Sequence, residues 1–249
     1  MNDMHEANRR NWDAVSADWA KRMEERGVWR RCTREPGLAL DMRELHWLGD
    51  LAGKRVAVLG SGDNLVAFAI AGMGARVTSV DIAENQLATA RQRAEELGLA
   101  IEFVRADVTE VHDLVTGSFD LVYAGGHIAI WVSDLRKFYR EATRILKPGG
   151  LLIVSEYHPF RRIWKATKDR LEIEADYFRR GPYSYDTPGG KGHEFQWTVG
   201  DYVTAVIDAG CELLAVEEFG SGADGDWEVP PVGGLPRVLL VVGRKRSLL

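Results

Sequence analysis

The apolar run Arg55-Val56-Ala57-Val58-Leu59 breaks directly into Gly60-Ser61-Gly62, and Asp81 follows Gly60 by 21 residues. A run of this length predicts a buried strand. A glycine pair directly after it lets the backbone turn tightly and approach a ligand that side chains would exclude. Ala75 to Asp81 is a second short run, rich in β-branched residues and ending on a carboxylate. At the tip of a second parallel strand, such an acid can accept hydrogen bonds from both hydroxyls of a ribose. This order predicts an open α/β sheet with a nucleotide-type cradle above its first two strands.

A dinucleotide fingerprint needs a third glycine three residues after the second, and Leu65 stands there. The stretch instead resembles motif I of class I S-adenosylmethionine-dependent methyltransferases, roughly acid-x-Gly-x-Gly-x-Gly. Two positions depart from it: Val58 replaces the acid and Asn64 the last glycine. Asn tolerates left-handed backbone better than most residues, so the turn survives. Three later segments extend the resemblance over residues 55 to 155. They are Phe103-Val104-Arg105-Ala106-Asp107-Val108, the strand Phe119 to Ala124 with Gly125-Gly126 at its mouth, and Arg144 to Val154 with its Lys147-Pro148-Gly149-Gly150 turn.

The resemblance implies a doubly wound, Rossmann-like α/β fold: a mostly parallel seven-stranded sheet with an antiparallel last strand, an N-terminal helical cap and an insertion after the fifth strand. It implies S-adenosyl-L-methionine as cofactor and methyl transfer to an O or N atom of a small-molecule acceptor. Residue by residue, it implies that Gly60, Ser61, Gly62 and Asn64 form the cofactor turn and that Asp81 holds the ribose. Ile82 then covers an adenine face, Asp107 takes the adenine amine, Val108 offers its amide and Gly125 lies at the mouth of the fourth strand. Trp19 stands where relatives often place an aromatic against the methionine portion.

A chain of 249 residues suits one α/β domain with additions. The formal charge of -5 gives no basic footprint for nucleic acid, so a small substrate is expected. Cys32 and Cys211 lie far apart without metal-ligand spacing, so no disulfide framework, zinc site or other metal site is expected. No stretch approaches membrane-spanning length, and a soluble cytoplasmic protein, monomer or homodimer, is the expectation.

Along the chain, residues 1–50 read as the helical cap, with helices around Asn8 to Met23 and Leu38 to Leu48. Residues 51–156 read as the cofactor-binding core, 157–197 as a substrate-lid insertion and 198–249 as a last helix with two strands. Trp12 and Trp19, seven apart, share a helix face. Helices are predicted over Leu65 to Ala71, over Glu84 to Leu97 with Gly98 as the stop, and over a segment capped by Ser133. Thr198-Val199-Gly200-Asp201 reads as a capping box. Strands over Glu212 to Phe219 and Arg237 to Val242 are joined by a long loop from Gly220 to Pro236.

The insertion holds nine of the 23 Phe, Trp and Tyr residues. Aromatic rings with polar tips suit a wall around a partly apolar substrate, with Tyr157, Tyr183 and Trp197 as candidates. Some of these rings must also serve the insertion's own core. His127, after Gly125-Gly126, and His158, after the fifth strand, both face the carboxyl end of the sheet and are the candidate catalytic bases. His193 reads as a surface imidazole, and Asp120 as structural. Arg161, Arg162, Arg179 and Arg180 stand among acids and read as a solvated mixed-charge face. Two alternatives stay open: a non-catalytic, cofactor-binding relative, and an NAD(P)-dependent oxidoreductase.

Overall fold

Apolar residues occupy both faces of the central strands, so both faces must be covered, the condition under which parallel sheets form. In the computed structural model, which describes residues 2–164, 172–220 and 235–247, β1 (Arg55–Leu59) sends Ala57 and Leu59 into one core and Val56 and Val58 into the other. β2 (Arg76–Asp81), β3 (Ile101–Arg105), β4 (Phe119–Gly125) and β5 (Leu146–Tyr157) extend the sheet in parallel. β6 (Tyr183–Thr187) and β7 (Gly190–Glu194) form a separate hairpin within the insertion. β8 (Cys211–Phe219) and β9 (Val238–Lys245) complete a seven-stranded sheet of order β3-β2-β1-β4-β5-β9-β8, with β9 antiparallel to both neighbours. The expected fold is present, last strand included.

The helices divide between the faces. α2 (Met42–Leu48), α3 (Leu65–Gly72) and α4 (Glu84–Leu97) contribute Leu48, Phe68 and Ala90 to the Val58 side. α5 (Leu135–Ile145) and α6 (Val199–Asp208) contribute Phe138 and Val206 to the Leu59 side. Between β3 and β4 the chain crosses the sheet through turns rather than a helix. β1 and β4 are therefore neighbours whose following helices lie on opposite faces, and a crevice opens between their carboxyl ends. A buried bond from the Tyr123 hydroxyl to Glu44 (2.6 Å) fastens α2 to β4.

α4 has the predicted bounds, with Gly98 left-handed at its end (φ 65°), and the Thr198–Asp201 capping box opens α6. Other boundaries differ. α1 runs Asp3–Arg26, longer than its apolar pattern, because Asn2 caps it and Gly27 ends it. α2 begins at Met42 instead of Leu38: Pro36–Leu38 is a separate 3-10 turn, and Asp41 with Glu44 makes the capping box that starts the helix. Asp134, not Ser133, caps α5, its carboxylate accepting the Lys137 amide (2.8 Å). Most of the expected loop from Gly220 to Pro236 lies outside the described residues. Among those described, no helix is long and apolar enough to cross a membrane.

Candidate functional site

The glycine turn is built as its sequence demands. Gly60 and Gly62 adopt φ of 67° and 50°, and Asn64 reaches φ 65° without being glycine. Its side chain stabilises that backbone from both ends: Nδ2 donates to the Gly62 carbonyl (2.7 Å) and Oδ1 accepts from the Ser79 hydroxyl (2.5 Å). Ser61 closes the network through Ser79 Oγ (2.7 Å). The departure from the glycine pattern at position 64 is thus compensated locally, while Val58 is simply core.

Asp81 sits beneath this turn. One carboxylate oxygen accepts the Gly62 amide (2.8 Å) and the other the Ala83 amide (2.9 Å). Burial pushes its pKa up, against those amides and that of Ile82. A buried carboxylate in this condition has lone pairs left for further donors. Ile82 beside it is half-buried, and Asp13 of α1 is near enough to act on its charge.

α1 lies across the carboxyl ends of the strands as a strap fastened at several points. His5 Nδ1 bonds Asp107 Oδ2 (2.7 Å) while its Nε2 accepts the Ser133 amide (2.9 Å). Asn8 pairs with both backbone groups of His193 (2.8 Å each). Asp13 takes the Asn85 amide at the start of α4 (3.0 Å), and Arg93 reaches the Ala20 carbonyl (2.9 Å). Trp12 packs edge-to-face on Trp19 and Trp131. The Trp19 side chain hydrogen-bonds Asp63, inside the glycine turn.

Asp107 is therefore engaged on both oxygens, since Oδ1 takes the Thr109 amide and hydroxyl (2.9 and 2.8 Å). Burial opposes its ionisation, but the bonds from His5 and Thr109 outweigh it and leave the pKa below the usual range. In this structure Asp107 anchors α1. Val108 is buried in the core beside it, and Gly125 is pressed against the Ser155 carbonyl, where a Cβ would stand at 2.7 Å.

At the β4–β5 end the sequence pointed to His127 and His158, and the structure separates them. His158 is buried with Nε2 on Glu218 (2.6 Å) and Nδ1 accepting the Phe160 amide (3.2 Å), so neither nitrogen offers a lone pair to a substrate. His127 is half-buried, at φ 75°, with its ring edge-on to Tyr157. Burial, and then the charges of Arg161, Arg162 and Arg237, hold it well below the ordinary histidine range. Tyr183 bonds the Arg179 carbonyl (3.0 Å), and Trp197 donates to the Ala129 carbonyl (2.9 Å), tying the insertion to the β4 loop. His193 bonds Ser184 (2.9 Å) on the hairpin.

Glu156 is the buried carboxyl beside the site that sequence reading missed. It is 2% exposed, takes the Ala129 amide (3.0 Å) together with those of His127 and Ile128, and is pushed by burial up to about 8. It clamps the loop that carries His127. The signal was present in the alternation Leu152, Val154, Glu156, where a carboxylate takes the next inward position of a core strand.

Gly62 and Asp81 fit a nucleoside. A Cβ on Gly62 would meet nothing within 4 Å, so its backbone faces open space above a buried carboxylate that ribose hydroxyls can satisfy. Over Gly60 the space is filled: the Ile128 Cδ1 lies at the place a Gly60 Cβ would need. The side chain of Ile128 must turn aside before a ligand extends from Gly62 across Gly60.

The methyltransferase-domain family model matches residues 58–154. A ubiquinone biosynthesis O-methyltransferase of Xanthomonas oryzae pv. oryzae is 35% identical over 136 residues, 55% of this chain and 56% of that protein. One from Bordetella avium is 28% identical over 156 residues, 61% of this chain and 64% of that protein. The chain thus spans less than two thirds of these relatives' length. Among solved structures, an S-adenosylmethionine-dependent methyltransferase from Mesorhizobium loti superposes with TM-score 0.64 at 28% identity, over 81% of this chain and 95% of that one. Sequence and fold agree on the resemblance read from the motifs.

Proposed function

We propose that this chain, whose residues 58–154 match the methyltransferase-domain family model, is an S-adenosylmethionine-dependent enzyme that methylates an oxygen of a small-molecule acceptor. The observation that carries this reading is the open backbone of Gly62 above the buried Asp81 carboxylate. The O-methyltransferase names of the relatives support oxygen over nitrogen. Their particular acceptor is not carried over, because the match to the family model ends at residue 154 and the chain spans less than two thirds of these relatives' length.

S-adenosylmethionine, when bound, supplies a methyl group on a positively charged sulfur. The chain's own part is mainly to position the reactants, which model reactions value at about 7–11 kcal/mol. Gly60, Ser61 and Gly62 present backbone to the cofactor while the buried Asn64 holds the turn in shape, Asp81 accepts from the ribose, and Ile82 and Trp19 flank it. His127, neutral at pH 7 because burial and three guanidinium groups oppose its charging, is the proton acceptor for the substrate hydroxyl. Glu156 acts through His127 by fixing its loop. Tyr157 forms the adjoining wall. His158, engaged at both ring nitrogens, is not the proton acceptor, and Asp107 fastens the cap through His5 while its Oδ2 keeps a lone pair for the adenine amine. The formal net charge of -5 supports a small-molecule acceptor over nucleic acid.

Calorimetric titration with S-adenosylhomocysteine tests this. Binding is expected in the wild type and lost in Asp81→Ala, with NAD silent; tight NAD binding without S-adenosylhomocysteine binding would overturn it. A second reading, a relative without methyl transfer, is favoured by Ile128 over Gly60. Transfer of labelled methyl from the cofactor to any metabolite removes that reading.

A further inference from the structure

The Lys147-Pro148-Gly149-Gly150 turn at the start of β5 has no part in the cofactor crevice, because it lies at the other end of the sheet. An open cavity of about 300 Å³ is found there. Leu48 from the end of α2, Leu121 of β4 and Leu151 of β5 give it an apolar floor, backed by the core on the Val58 side. Lys54, Lys147 and Arg244 bring cationic groups to the same cavity. Lys54 precedes the first residue of β1 and Gly60 follows its last, so the length of that strand separates this cavity from the glycine turn.

The charges here do not cancel. Asp120 is the one carboxylate lining the cavity, and both of its oxygens are taken: Oδ1 by the Lys147 ammonium (2.6 Å) and Oδ2 by the Arg55 amide (2.9 Å). Asp120 and Lys147 thus neutralise each other. Lys54 and Arg244 form no ion pair among the described residues, although Glu212 stands across from Arg244 in the β8–β9 ladder. Their backbones are nevertheless fixed. The Lys54 amide donates to Leu51 (3.0 Å), its carbonyl accepts from Arg76 (2.8 Å), and Arg244 lies in register with Leu151.

We propose that this cavity is a second ligand site, for a small phosphate monoester whose doubly charged head rests between Lys54 and Arg244 while a compact apolar body lies on Leu48, Leu121 and Leu151. The proposal is independent of the methyltransferase reading, since the two sites share no residue. Two unpartnered cations match the charge of close to -2 that a phosphate monoester carries at pH 7 on a single head. Guanidinium and ammonium groups are the usual partners of such oxygens. Gly149 adds room for the head: it sits at φ 78°, and a Cβ built on it would meet nothing within 4 Å, so an anion can approach its backbone. Size restricts the body. A cavity of about 300 Å³ stands at the lower end of the range for small-molecule sites, which suits a single ring and not a nucleotide.

The test is calorimetric titration of the full chain with phenyl phosphate, inorganic phosphate and phenol. Phenyl phosphate is expected to bind about tenfold more tightly than either part alone, and the advantage over phenol should shrink with added salt. Binding should weaken about three- to tenfold in Lys54→Gln and again in Arg244→Gln, both exposed positions. In the wild type, amide resonances of Gly149, Gly150 and Leu151 should move on titration while that of Gly62 stays in place. No binding of phenyl phosphate at millimolar concentration, binding no tighter than that of phosphate or phenol, or unchanged affinity in both Gln variants would overturn the proposal. So would movement at Gly62 with none at Gly149, which would assign the binding to the cofactor crevice. Failure on any of these counts leaves S-adenosylhomocysteine binding, and the reading that rests on it, untouched.

Discussion

Replacing Glu156 by Gln keeps the side chain's shape and the carbonyl oxygen that accepts the Ala129 amide, but removes its proton equilibrium. In the folded chain this carboxyl titrates at about 8, against 4.5 for the free group. Its folded pKa is raised, so its contribution is fully present below the unfolded pKa and is lost as pH rises toward the folded one. Between pH 5 and pH 8 the unfolded state releases its proton while the folded state largely keeps it. By linkage, wild-type stability should fall by roughly 3 kcal/mol across that interval on account of this group alone. The Gln variant has no such loss. Urea unfolding followed by tryptophan fluorescence at pH 5, 6.5 and 8 should show the variant gaining on the wild type at each step. A stability difference that stays constant from pH 5 to pH 8 would refute the reasoning and mean that Glu156 is ionised in the folded protein.

Other positions offer independent tests. Asn64→Ala should destabilise by about 2–4 kcal/mol, combining left-handed strain with loss of the acceptor for Ser79, whereas Asn64→Gly should escape the strain. Thermal unfolding that ranked Ala at or above Gly would contradict the compensation described for the turn. Asn8→Ala leaves the His193 amide and carbonyl without their partner on α1, at a cost of about 1–3 kcal/mol for each group that stays dry. Hydrogen exchange should then quicken at the His193 amide and along α1; unchanged protection at both would show that the strap is held elsewhere.

The sheet was legible in the sequence because its determinants are local. The two-face apolar pattern of Val56 to Leu59, the glycine pair after it and the acid closing β2 each act over a few residues, and together they dictate the fold and the place of the crevice. Asn64 was legible for the same reason, since its left-handed backbone is a property of the residue itself. The capping box at Thr198 was equally readable, while the cap of α5 fell one residue away because Ser133 is drawn off by His5, a partner 128 positions distant. What only the tertiary structure decided shares that character. Asp107 is taken by His5 from the first helix, Ile128 covers Gly60, and Glu156 grips a loop 27 residues before it. Arg161 and Arg237, far apart along the chain, both act on the charge of His127. Burial and electrostatic fields depend on which distant segments are brought together, and periodicity along the chain carries no record of that.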